Sequence, residues 1–96
     1  RQVEREVRDA WTTLALRERT VTDREALLSL QTRKLKAEDA NFRRGRSTTD
    51  IMVRFRQDIH RAAFDLARAR ANAAAARIEL ARATGTLLTS FGPAAK

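Results

Sequence analysis

In the first half of the chain Val7, Leu14, Val21, Leu28, Leu35 and Phe42 recur at every seventh residue. Val3, Trp11, Leu16, Leu27 and Leu30 broaden that stripe, which assigns Trp11 to the core. In the second half Met52, Phe55, Ile59, Ala62, Leu66, Ala69, Ala73, Ala76, Leu80, Ala83 and Leu87 alternate steps of three and four. This is the spacing of a coiled-coil seam. A repeat of about 3.5 residues on a 3.6-residue helix drifts unless the helices wrap left-handedly. The pattern predicts an all-α fold: two long antiparallel helices forming a coiled-coil hairpin, with Leu14, Val21, Leu28, Leu35, Phe42, Met52, Phe55, Ile59, Leu66 and Leu80 in the seam.

The break between the two stripes is Arg43-Arg44-Gly45-Arg46-Ser47-Thr48-Thr49-Asp50. Gly45 can adopt the left-handed conformation that closes a helix C-terminus. Arg43 and Arg44 fall where cations suit the helix dipole. Ser47 with Asp50 resembles the Ser-x-x-acid start of a capping box. The expected organisation is a single hairpin with a helix over 3–43, a turn over 44–47 and a helix over 48–86. Gly92-Pro93 predicts an irregular tail over 88–96. Each helix would be on the order of 55–60 Å long. The chain begins at Arg1 rather than Met, which is expected of a segment of a larger chain.

Many seam positions of the second helix are Ala. Small residues let helices approach closely but bury little area each, at about 25 cal/mol per Å². One implication is an unfinished core that seeks neighbours, either from the rest of a longer chain or through self-association with other copies. Arg70 to Arg77 is Ala-rich on every side, which suits a helix packed on more than one face, but Ala is also the strongest helix former.

The 96 residues suffice for one small domain. There is no Cys and one His, which removes disulfides, thiolate metal sites and His clusters. Three Gly and one Pro are too few turn residues for a many-stranded sheet. The longest apolar run, Ala73 to Ala76, cannot span a membrane. His60 lies beside the seam without a partner across a pocket, and Glu38 and Asp39, being adjacent, point about 100° apart on a helix. No phosphate cradle or nucleophile elbow is present, so no catalytic, cofactor or metal site is expected and the chain does not read as an enzyme.

Net charge is +8, and 17 of the 20 basic residues are Arg. Between Arg33 and Arg61 nine basic residues stand against four acidic ones, so most of the excess sits at the turn end. This is either a docking surface for an acidic or polar partner or a solvated Arg-rich surface. Nucleic acid is not the expected partner. Acids interleave with Arg at helical spacing (Glu4/Arg8, Asp65/Arg68, Glu79/Arg82), and Phe42 and Phe55 already belong to the stripes.

Three stretches resemble the TolC-like outer-membrane efflux proteins. Phe42-Arg43-Arg44-Gly45-Arg46-Ser47-Thr48-Thr49-Asp50-Ile51-Met52 looks like the family's aromatic-x-x-Gly turn with its following Ser/Thr, Asp and hydrophobic pair. Leu80-Ala81-Arg82-Ala83-Thr84-Gly85-Thr86-Leu87 is similar to the Leu-x-x-Ala-x-Gly-x-Leu ending of the returning helix. Val3-Glu4-Arg5-Glu6-Val7-Arg8-Asp9-Ala10-Trp11 looks like the Val-x-x-Glu-Val-x-x-Ala-aromatic helix start. The chain departs from the pattern in having Arg44 before the glycine, where Val is common, and in a Gly-to-Asp spacing one residue shorter. The resemblance implies a periplasmic helical tunnel segment of a trimeric outer-membrane export channel. It would meet the membrane only through parts absent from this segment. Its turn would dock to a periplasmic adaptor protein, and that tip maps to Arg44, Gly45, Arg46, Ser47, Thr48 and Asp50. Two other readings stay open: the hairpin of an adaptor protein itself, and a purely structural oligomerising coiled coil.

Overall fold

The computed structural model describes residues 2–91. Two helices account for them, α1 over Gln2–Arg43 and α2 over Thr49–Phe91, and the described residues contain no strand. The chain is an all-α helical hairpin. Neither Pro nor Gly interrupts α1, so its hydrogen-bond ladder runs unbroken until Gly45, where φ is +75°.

The second helix runs further than its spacing predicts. Gly85 lies inside α2 with an ordinary helical backbone, and residues 88–91 are helical rather than irregular. A single Gly costs a helix only about 1 kcal/mol, too little to stop one already under way. Thr86 and Thr89 donate their hydroxyls to the carbonyls of Arg82 and Gly85, at 3.1 and 2.8 Å, and so add bonds to the final turns. The rest of the expected tail, 92–96, lies outside the described residues.

The chain divides into two compact units, residues 1–20 with 69–96 and residues 21–68. Each holds one stretch of each helix, so the single hairpin is built of two packed parts. In the first unit the buried residues are small: Ala10 on α1, and Ala69, Ala73, Ala76 and Ala83 on α2. Val3, Val7, Leu14, Leu80 and Leu87 are half-buried around them. Arg77 reaches Glu18 at 3.5 Å with both side chains more than half exposed, so this cross-helix pair contributes at most about 1 kcal/mol.

In the second unit Met52, Ala62 and Leu66 are buried, and Val21, Leu28, Leu35, Phe55 and Ile59 are half-buried. Lys34 places its ammonium 5.3 Å from the Phe55 ring centroid, which lets its methylene stem cover the ring. A fully buried Leu or Met contributes roughly 1.5–3 kcal/mol, against about 0.8 kcal/mol for one methylene-sized group. The second unit therefore draws more stability per seam position than the Ala-lined first.

Four residues of the α1 stripe are not in the core. Trp11 is 66% exposed, and Leu16, Leu30 and Phe42 are exposed as well. The seam of a two-helix hairpin is narrow. It covers the seventh-residue positions and the residues four before them, while a side chain one step around the helix stays in solvent. Phe42 keeps the register but is the last α1 stripe residue before the turn, and much of its ring remains open.

Candidate functional site

The turn is built from bonds that the sequence only partly discloses. Gly45 N–H donates to the Phe42 carbonyl at 3.0 Å, and Arg46 N–H donates to the Asn41 carbonyl at 2.8 Å. With Gly45 left-handed, this pair of bonds is the Schellman closure of a helix, and it satisfies carbonyls that α1 would otherwise leave open. No atom would lie within 4 Å of a Cβ placed on Gly45, so the glycine is needed for its backbone angle rather than for space.

The helix start is capped one residue later than the Ser47–Asp50 spacing predicts. The Thr48 hydroxyl accepts the Ile51 N–H at 3.2 Å, and the Thr48 carbonyl accepts the Met52 N–H at 3.1 Å, so Thr48 is the N-cap. Asp50 lies in the first turn, where its charge suits the helix dipole. The Ser47 hydroxyl instead donates backward to Glu38 at 2.6 Å. Glu38 also accepts from the Asn41 amide at 3.1 Å. The hydrogen bond from Ser47, and secondarily that from Asn41, holds the Glu38 carboxyl below its ordinary value.

The six predicted tip residues thus divide. Ser47 is half-buried and engaged with α1, and Thr48 spends its oxygen on the cap. Gly45 and Asp50 are exposed, as are Arg44 and Arg46, which make no ion pair among the described residues. Arg43 is held by Asp39 at 3.0 Å. Glu38 and Asp39 therefore serve different partners, as their angular separation requires. Beside the turn lies an open groove lined by Asp39, Phe42, Thr49, Met52, Val53 and Arg56. Its apolar part is presented outward, with Phe42 41% and Val53 46% exposed. The turn end therefore offers two free guanidinium groups together with an apolar recess.

Away from the turn, His60 is exposed. Among the described residues no group of three or more His, Asp or Glu is placed to hold a metal ion. No described helix is long and apolar enough to cross a membrane.

The Ala-rich part of α2 carries a second stripe that the seam spacing does not separate from the first. In the first unit Ala71, Ala74, Ala81 and Gly85, with Ile78 and Leu88, repeat the three-and-four step on α2 and are all exposed. They are displaced by one or two residues from the inner series, which centres them roughly 150° around the helix. The stripe therefore lies on the far side of α2 from its buried seam. The signal was present in the Ala-rich run, but the inner and outer stripes overlap in sequence, and only burial separates them.

Compared with family models, curated proteins and solved structures, the chain matches none.

Proposed function

We propose that this hairpin is a periplasmic tunnel segment of a TolC-like outer-membrane export channel, a trimer when whole, and that its turn docks to a periplasmic adaptor protein. The observation that carries this reading is the turn end itself. Arg44 and Arg46 are exposed and without ion pairs among the described residues, the Gly45 backbone is open to close approach, and Phe42 and Val53 line an accessible groove beside them. A surface of this kind suits a polar helix tip that brings carbonyls or carboxylates to the arginines and a small apolar side chain to the groove. The outer stripe of α2 suits the lateral neighbours that a tunnel wall requires. The resemblance of the three sequence stretches suggests the family; the geometry supports the division of labour between tip and flank.

The test is site-specific crosslinking in the full-length protein that contains this hairpin, in cells that also carry a periplasmic adaptor protein. A crosslinker at position 46 is expected to capture the adaptor, and one at exposed Arg19 is not. Arg44→Glu with Arg46→Glu should weaken capture from a neighbouring position while trimers still assemble. Equal capture from positions 46 and 19, or none from 46, refutes the docking role.

A second reading, a purely structural oligomerising coiled coil, is favoured by the outer α2 stripe taken alone. It predicts that reversing Arg44 and Arg46 changes no export phenotype, whereas charged substitutions at Ile78 and Leu88 abolish assembly.

A further inference from the structure

Glu38 occupies a position that the heptad spacing gives to the seam. It belongs to the series Val3, Ala10, Arg17, Arg24, Gln31 and Glu38, and it is half-buried. A carboxylate contributes nothing apolar there. Both of its oxygens are instead used as acceptors, Oε2 by the Ser47 hydroxyl at 2.6 Å and Oε1 by the Asn41 amide at 3.1 Å. The first bond is short, as expected when the acceptor is ionised. Asn41 in turn receives the Arg46 N–H on its backbone carbonyl at 2.8 Å. Residues 46 and 47 are thereby tied to α1 at two points one helical turn apart, and the Asn41 side chain links those points.

We infer that Glu38 is the positioning residue of the turn: through Ser47 and Asn41 it fixes the segment between Gly45 and the Thr48 cap, and so fixes how Arg44 and Arg46 are presented. Without it, Ser47 is untied, the segment entering α2 is free to rotate, and the Schellman bonds of Gly45 and Arg46 open more often. The glycine supplies the bend and Thr48 starts the next helix; Glu38 sets the register between them. Its bearing on partner docking rests on the function proposed above, whereas the clamp does not.

The clamp is tested in the 96-residue chain by amide hydrogen exchange at Gly45 and Arg46. Glu38→Ala and Ser47→Ala are each expected to speed exchange at these two amides about tenfold, as loss of a hydrogen bond to a charged group does. The double variant should go no further than Glu38→Ala, because that substitution already removes the bond that Ser47→Ala removes. Ser47→Thr retains the hydroxyl and should restore protection. Glu38→Leu separates positioning from packing: an apolar residue suits the seam and should preserve the melting temperature, yet the two amides should still exchange fast. Unchanged exchange in Glu38→Leu, or effects of Glu38→Ala and Ser47→Ala that add, overturns the inference. Rapid exchange in Glu38→Leu with undiminished adaptor crosslinking from position 46 sustains the clamp and counts against the docking reading instead.

Discussion

The two described glycines should respond to the same substitution with opposite signs. Gly45 has a φ of +75°, and a Cβ there would meet no atom within 4 Å. The cost of Gly45→Ala is therefore conformational: placing an L-residue in the left-handed region costs roughly 1–2 kcal/mol. Gly85 also faces open space, but its backbone is helical and lies inside α2. Gly85→Ala removes unfolded-state freedom and adds helix propensity, together about 0.5–1 kcal/mol of stabilisation. Its carbonyl still accepts the Thr89 hydroxyl, since that bond uses backbone oxygen only. For a chain of this size each kcal/mol moves the melting temperature by about 4–8 °C. Gly45→Ala should melt several degrees below the parent and Gly85→Ala a few degrees above it. Far-UV circular dichroism at several low protein concentrations reads both shifts and exposes any contribution from association. Two shifts of the same sign would refute the assignment of Gly45 as a conformational requirement and Gly85 as an ordinary helical position.

Further expectations follow from burial and capping. Ala73 is 1% exposed whereas Ala74 is exposed, so Ala73→Leu should cost about 1–3 kcal/mol in urea unfolding through overpacking. Ala74→Leu should stay within about 0.5 kcal/mol when the chain is monomeric. Thr48→Ala should cost about 1 kcal/mol as the N-cap is lost, and Thr48→Ser should recover most of it. The Glu38 carboxyl is held below its ordinary 4.5, first by Ser47 and then by Asn41. The stability it contributes is complete above that value and is lost as pH falls through the lowered folded one. The parent's melting temperature should accordingly fall more steeply than that of Ser47→Ala as the pH drops below 4.5; parallel declines would remove Glu38 from the turn's energetics.

The seven-residue recurrence and the three-and-four alternation were enough to determine two helices and their break, because a side chain's place around a helix depends only on its place in the chain. Gly45 was legible for a similar local reason: a left-handed closure is inexpensive for glycine and costly for its neighbours. The buried alanines of α2 followed from the spacing alone. What spacing could not determine was how wide the seam would be. Trp11, Leu16 and Leu30 satisfy a hydrophobic pattern, but a two-helix contact has too little surface to cover them, and burial depends on the partner's width rather than on the residue's own character. The Ala-rich run carried two stripes written over each other, and only packing decided which one faces α1. The cap moved from Ser47 to Thr48 because Glu38, nine residues upstream, competes for the Ser47 hydroxyl. That competition exists only once α1 and the turn are folded against each other. Local geometry can be read from neighbours along the chain; the allocation of each hydrogen bond and each apolar face waits on residues brought together in space.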